Sequence, residues 1–207
     1  MIQSGKFDSF NMEIKKLANS VLIFTIKRLI EISGIIISIL GLTLLIALIS
    51  YSPTDPNFIF PEKKEIKNLL GFQGSYIADL FLQSIGLIAY LVPLTFIFSG
   101  LNIFKRKEFF LIVENLFFVV IYCLVGSLFF NIFYNESFIL YINGSGGFVG
   151  SYISDYFFKN IINTYKNIFY YVFILIIVSL FLLSINFHLK NFLTFTKKIL
   201  KSIFKKE

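Results

Sequence analysis

Four apolar runs, each long enough to cross a bilayer as a helix, constrain this 207-residue chain more than any other feature. A hydrocarbon core of about 30 Å requires about 20 apolar residues at about 1.5 Å of rise each. The runs extend over about Ile32 to Ile49, Ile77 to Phe104, Phe109 to Phe133 and Ile168 to Phe187. None alternates apolar with polar positions, so strands of a lipid-facing barrel are disfavoured and helices remain. Only 15% of residues are charged, and mean hydropathy is +0.79. Soluble domains carry about 25% charged residues, so a water-soluble globule is excluded. The fold class is therefore an all-α membrane protein with four transmembrane helices. The first 26 residues include Asp8, Glu13, Lys15 and Lys16 and lack a small-residue cleavage pattern, so the first helix is expected to stay in the mature protein.

Basic residues set the direction of the spans, because loops on the cytoplasmic side are rich in Lys and Arg. Lys6, Lys15, Lys16, Lys27 and Arg28 precede the first span. Lys105, Arg106 and Lys107 separate the second from the third, and Lys190, Lys197, Lys198, Lys201, Lys205 and Lys206 follow the fourth. Fourteen of the 19 Lys and Arg thus fall on one side, leaving Lys63, Lys64, Lys67, Lys159 and Lys166 on the other. An even number of spans puts both termini on the same side, and the basic excess makes that side the cytoplasm. Glu31 and Glu114 lie about a turn inside the cytoplasmic ends, within reach of Arg28 and of Lys105 or Arg106.

One cysteine, Cys123, and one histidine, His188, exclude an intrachain disulfide and a Cys/His metal cage. The carboxylates are scattered to membrane edges, and no catalytic constellation is visible. No cofactor or metal is expected. Domain boundaries follow from the same pattern: residues 1–28 form a cytoplasmic amphipathic segment, 29–188 the four-helix membrane domain, and 189–207 a basic cytoplasmic tail. Ile14, Leu17, Val21 and Phe24 have the spacing of a weak interfacial helix. Leu189, Phe192, Leu193, Leu200, Ile203 and Phe204 predict a second one, its lysines facing an anionic inner leaflet.

The two outer loops carry a repeat. Gly71 to Phe81 (GFQGSYIADLF) matches Gly147 to Phe157 (GFVGSYISDYF) at eight of eleven positions, at an offset of 76 residues. This pattern implies a duplicated helical hairpin whose copies share one orientation, unlike the inverted repeats of many transporters. The glycines permit a turn with positive φ. Ser75 and Ser151 fit the N-cap role, which would put Asp79 and Asp155 in the first turn of the next helix, against its positive dipole end. A cation site formed by the paired aspartates is the competing reading. Residues 151 to about 162 read as a short surface helix followed by a break. Pro53, Pro56 and Pro61 forbid a helix through the first outer loop.

The segment Ser50-Tyr51-Ser52-Pro53-Thr54-Asp55-Pro56-Asn57 resembles the N-terminal four-span domain of FtsK/SpoIIIE-type DNA translocases. The resemblance continues through Gly71 and Gly74 to Asp79, through Gly86, Tyr90 and Pro93, and reappears at Gly146, Gly147 and Gly150, with Asp155 completing the second repeat. It implies a membrane anchor at the division septum, a homo-oligomer that is hexameric by resemblance, and divisome partners. In that family a motor follows and translocates DNA. Here the Walker pattern Gly-x-x-x-x-Gly-Lys-Ser/Thr is missing: Gly144 to Ser151 lacks the lysine. The chain is thus expected to be non-enzymatic, either a fragment or a separate anchor subunit, meeting DNA only through a motor module outside it. The alternatives are a small transporter or channel subunit and another structural membrane protein of the divisome. The inside-facing topology is checked by alkaline phosphatase fusions, expected to be inactive after Glu207 and active within 57–66; the reverse pattern refutes it.

Overall fold

The computed structural model describes residues 2–56, 65–134, 143–155 and 166–187, and all regular structure among them is helical. In chain order these are α1 (Ile2–Ile49), α2 (Gly71–Ile85), a 3₁₀ turn (Gly86–Tyr90), α3 (Leu91–Arg106), α4 (Phe110–Tyr134), α5 (Gly147–Ile153) and α6 (Lys166–Ser184). Four stretches are long and apolar enough to cross a membrane: Lys15–Ile49, Gly71–Arg106, Phe110–Tyr134 and Lys166–Ser184. Each overlaps one of the four runs read from the sequence. The expected tail helix at 189–207, Pro61, and the break after residue 155 lie outside the described residues.

At the N-terminus α1 runs unbroken from Ile2 through the first span to Ile49. No proline precedes Pro53, and Gly34 and Gly41 are held inside a helix contact, so nothing interrupts the hydrogen-bond ladder. At about 1.5 Å per residue its 48 residues extend about 72 Å, far beyond a core of about 30 Å.

The helix that carries the second span begins at Gly71 and is interrupted at Gly86–Tyr90. Gly86 leaves α2 with φ of 70°, a conformation that L side chains resist. Pro93 sits in the first turn of α3, where its missing N–H is tolerated. The two residues bracket the break.

α1 packs along α3 through small residues. A Cβ on Gly34 would come within 2.7 Å of the Gly100 carbonyl oxygen, and one on Gly100 within 2.3 Å of Ser38 Oγ. Ser38 Oγ also donates to the Ile97 carbonyl across the interface at 3.2 Å. In lipid, such close backbone approach and interhelical hydrogen bonding replace the hydrophobic drive that assembles soluble bundles. The small-residue face of span one thus meets α3 of the same chain.

At the end of the bundle that holds Lys107, Glu31 accepts from two cations. Arg28 Nη1 lies 2.5 Å from one carboxylate oxygen and Lys107 Nζ 2.5 Å from the other. Lys107 reaches it because it caps α3 in the left-handed conformation, φ 60°. Glu114, expected near Lys105 and Arg106, is exposed instead; the paired carboxylate is Glu31, with Lys107 as its second cation.

α4 and α6 join through aromatic rings, Phe129, Phe133 and Phe173 among them, with the Tyr134 and Tyr170 hydroxyls 2.8 Å apart. Nearer the Lys107 end the helices share polar groups. Thr95 Oγ1 lies 3.1 Å from both the Tyr122 hydroxyl and Ser184 Oγ. Asn115 donates to Ser99 and accepts from Asn186, and Asn102 donates to the Ile185 carbonyl at 2.7 Å. These groups satisfy one another, as buried polar groups in hydrocarbon must.

Gly100→Leu is expected to destabilise the α1–α3 contact by about 1–3 kcal/mol through overpacking, whereas Leu101→Ala, on the exposed face of α3, is expected to be nearly silent. Thermal unfolding of the two variants in the same detergent compares them directly.

Candidate functional site

The residues singled out from the sequence gather at the end of the bundle opposite Lys107, around Tyr51. Two structures are built there: a lock on the first outer loop and a plug in the break of the second span.

The lock holds residues 50–56 against 65–75. Asp55, 3% exposed, accepts from the backbone N–H of Lys67 at 3.0 Å and of Asn68 at 2.8 Å. Asn68 donates its amide to the Ala47 carbonyl at 2.8 Å and accepts from Leu70 N–H at 3.0 Å. The donation to Ala47 matters because the last carbonyls of a helix have no partner within it. Ser50 Oγ accepts from Leu69 N–H at 3.1 Å, and Ser75 Oγ donates to the Pro56 carbonyl at 2.9 Å. A Cβ on Gly74 would strike Asn68 and Leu70. Pro53 lies exposed in the turn, while Pro56 is buried.

Next to the lock, the Tyr51 hydroxyl donates to Asp79 Oδ1 at 3.1 Å. Burial and the adjoining carboxylate push the Tyr51 phenol well above its usual range, so it stays a neutral donor at any ordinary pH. Gln83 Nε2 is 3.5 Å from the same oxygen, and Gln83 Oε1 is buried with no partner among the described residues. Tyr90 donates to the Leu48 carbonyl at 3.2 Å, a second tie to the end of α1.

The plug comes from the other hairpin. Where α2 breaks, Leu87 N–H donates to the Ser145 carbonyl at 2.9 Å, the Ile85 carbonyl accepts from Ser127 Oγ at 2.8 Å, and the Gln83 carbonyl accepts from Asn143 at 3.3 Å. A Cβ on Gly86 would lie 2.0 Å from the Ser145 oxygen, and one on Gly147 2.5 Å from Gly86 N. Gly146 and Gly150 lie as tightly against the Ser127 carbonyl of α4. Glycine is required on both sides because backbone meets backbone.

The repeat is conserved within the chain in its first residue: Gly71 and Gly147 both have φ of 65° and each opens a helix. Its expected N-caps are corrected. The helices start four residues before Ser75 and Ser151, so Ser75 ties down Pro56 and Ser151 donates to the Phe148 carbonyl. Asp79 then lies beyond the first turn of α2, and the two aspartates differ in burial. Asp79 is 2% exposed, deep in α2, whereas Asp155 follows α5 and is exposed. Asn68, Ser127, Asn143 and Ser145 escaped the sequence reading. Only Ser145, set in the run Gly144 to Gly147, carried a local signal. Among the described residues no group of three or more His, Cys, Asp or Glu is placed to hold a metal ion; the contacts that are present fasten loops to helix ends.

Comparison with known proteins places this arrangement. The family model described as the 4TM region of DNA translocase FtsK/SpoIIIE matches residues 26–197. The chain is similar to a protein named DNA translocase FtsK from Rickettsia typhi, 27% identical over 84% of this chain and 23% of the relative. Its counterpart in Rickettsia prowazekii is 28% identical over 82% of this chain and 22% of the relative. One from Shewanella oneidensis is 37% identical over 40% of this chain and 9% of the relative. The chain therefore spans about a quarter of the length of the first two relatives. No solved structure matches.

Gly147→Ala and Gly71→Ala separate the plug from the turn. Both sit at φ of 65°, but a Cβ on Gly71 meets nothing within 4 Å. Strain of about 1 kcal/mol is expected at Gly71 and well over about 2 kcal/mol at Gly147, where a clash is added. Chemical denaturation in mixed micelles measures both; equal losses contradict the plug.

Proposed function

We propose a membrane-anchor function whose premise is kinship: the chain belongs to the family of the 4TM region of DNA translocase FtsK/SpoIIIE. In this reading it holds a DNA translocase motor at the cytoplasmic membrane during cell division and chromosome segregation. The observation that carries the reading is the extent of the match, which includes all four spans rather than one hydrophobic stretch.

The architecture supports it. α1 continues far past the Glu31–Lys107 pair, and α6 ends at the same face of the bundle, where Asn186 meets Asn115. Both are thus presented on the side that the lysine distribution assigns to the cytoplasm. The sequence of 207 residues contains no Walker loop, so ATP hydrolysis and contact with DNA belong to a motor module joined to this domain or recruited by it. Assembly into a homo-oligomer, engagement of divisome proteins and residence at the septum complete the reading. The inner surface meets anionic lipid.

A fluorescent fusion of the chain is expected to concentrate in the cytoplasmic membrane at division sites. Depletion is expected to leave septa closing over unsegregated DNA, with rescue requiring a P-loop ATPase partner. Uniform membrane fluorescence together with normal segregation after depletion would overturn the anchor reading.

A further inference from the structure

A cleft of about 510 Å³ opens between α1, the first half of α2 and α3. Leu40 and Phe96 lie at its deep end, Ile77 and Phe81 line its α2 side, and Thr43 and Gln73 are its polar residues. The volume falls within the about 300–1,000 Å³ of ligand-binding clefts. It borders the lock, whose Ala47, Leu70 and Gly74 are among its lining residues, and is separate from the plug.

Its position within the bilayer follows from the helices that form it. Leu40 is nine residues along α1 from Glu31, about 14 Å, and Phe96 is ten residues from Arg106, about 15 Å. The deep end is therefore close to the middle of a core of about 30 Å. The shallow end, at Gln73 near the start of α2, adjoins the Asp55–Asn68 lock beyond the last turn of α1. The cleft thus runs from the bilayer centre to one interface, the path of an acyl chain in a single leaflet. It exists because α1 follows α3 closely through its glycines, while α2 leaves that line at Gly86.

An empty apolar cleft loses dispersion contacts on every wall, so in the bilayer something fills it. A hydrocarbon chain is thin enough and matches the apolar lining. We propose that the cleft is a binding site for one acyl chain of a phospholipid in the leaflet at the Tyr51 end. The Gln73 amide lies at the mouth, at the level of the glycerol esters. The bound lipid fills the wedge under α2 and braces the fastened end of the bundle.

Two readouts test this on the full chain. In native mass spectrometry after exchange into a non-ionic detergent, the wild type is expected to retain one phospholipid per chain. Ile77→Trp and Thr43→Trp, which fill the cleft, are expected to lose it. Val120→Trp, on the exposed face of α4, is expected to keep it. Equal retention in wild type and both cleft variants, absence of lipid from the wild type, or loss from Val120→Trp as well would each overturn the proposal. The chain has no tryptophan, so Phe96→Trp reports alone from the deep end. Reconstituted with chain-brominated phosphatidylcholine, its fluorescence is expected to be quenched at least twofold. Fluorescence that stays unquenched means that protein occupies the cleft, and rules the lipid out.

Discussion

Hydrocarbon offers no hydrogen bonds, and this one condition explains how the two hairpins are joined. A helix broken inside or beside the bilayer exposes N–H and C=O groups that nothing in the lipid can satisfy. The second span is broken at Gly86, and the freed groups of Ile85 and Leu87 are taken up by Ser127 and Ser145. Both partners come from the second hairpin, a donor from α4 and an acceptor from the loop before α5. The duplicated halves are therefore interlocked, the break in one being completed by the loop of the other. Gly86 and Gly147 are the contact points, and their backbones touch where side chains would stand.

The two ends of the bundle are stabilised by different physics. At the Tyr51 end, neutral hydrogen bonds predominate, most of them between a side chain and backbone, with Asp55 and Asp79 each held by donors. At the Lys107 end, Glu31 is clasped by two cations at the membrane edge. Both arrangements fix the ends of helices against their neighbours.

The membrane fold was legible because span length, helix periodicity and basic-residue placement are local or compositional signals. The repeat was legible too, and its glycines do adopt matching conformations. Its capping chemistry was misread because Ser75 and Ser151 look like N-caps only if the helices begin there. The positive φ of Gly71 and Gly147 sets the start four residues earlier. The break at Gly86 had a local clue in Pro93, but its partners are far along the chain: Ser127 and Ser145 lie 42 and 58 residues beyond the groups they bond. Pairings at that separation leave no pattern in one sequence. Asn68 is a similar case, since its role depends on Ala47 being folded against it.

The unbroken first helix has a mechanical consequence. It touches α3 closely from Gly34, against Gly100, to Gly41, against Ile97, and that seam acts as a fulcrum. The arm from residue 34 to residue 49 is about 22 Å long, and the arm from residue 34 back to residue 2 is about 48 Å. With no joint between them, a sideways displacement at the Tyr51 end becomes an opposite swing roughly twice as large at the far tip. The helix is a lever geared toward its N-terminal tip.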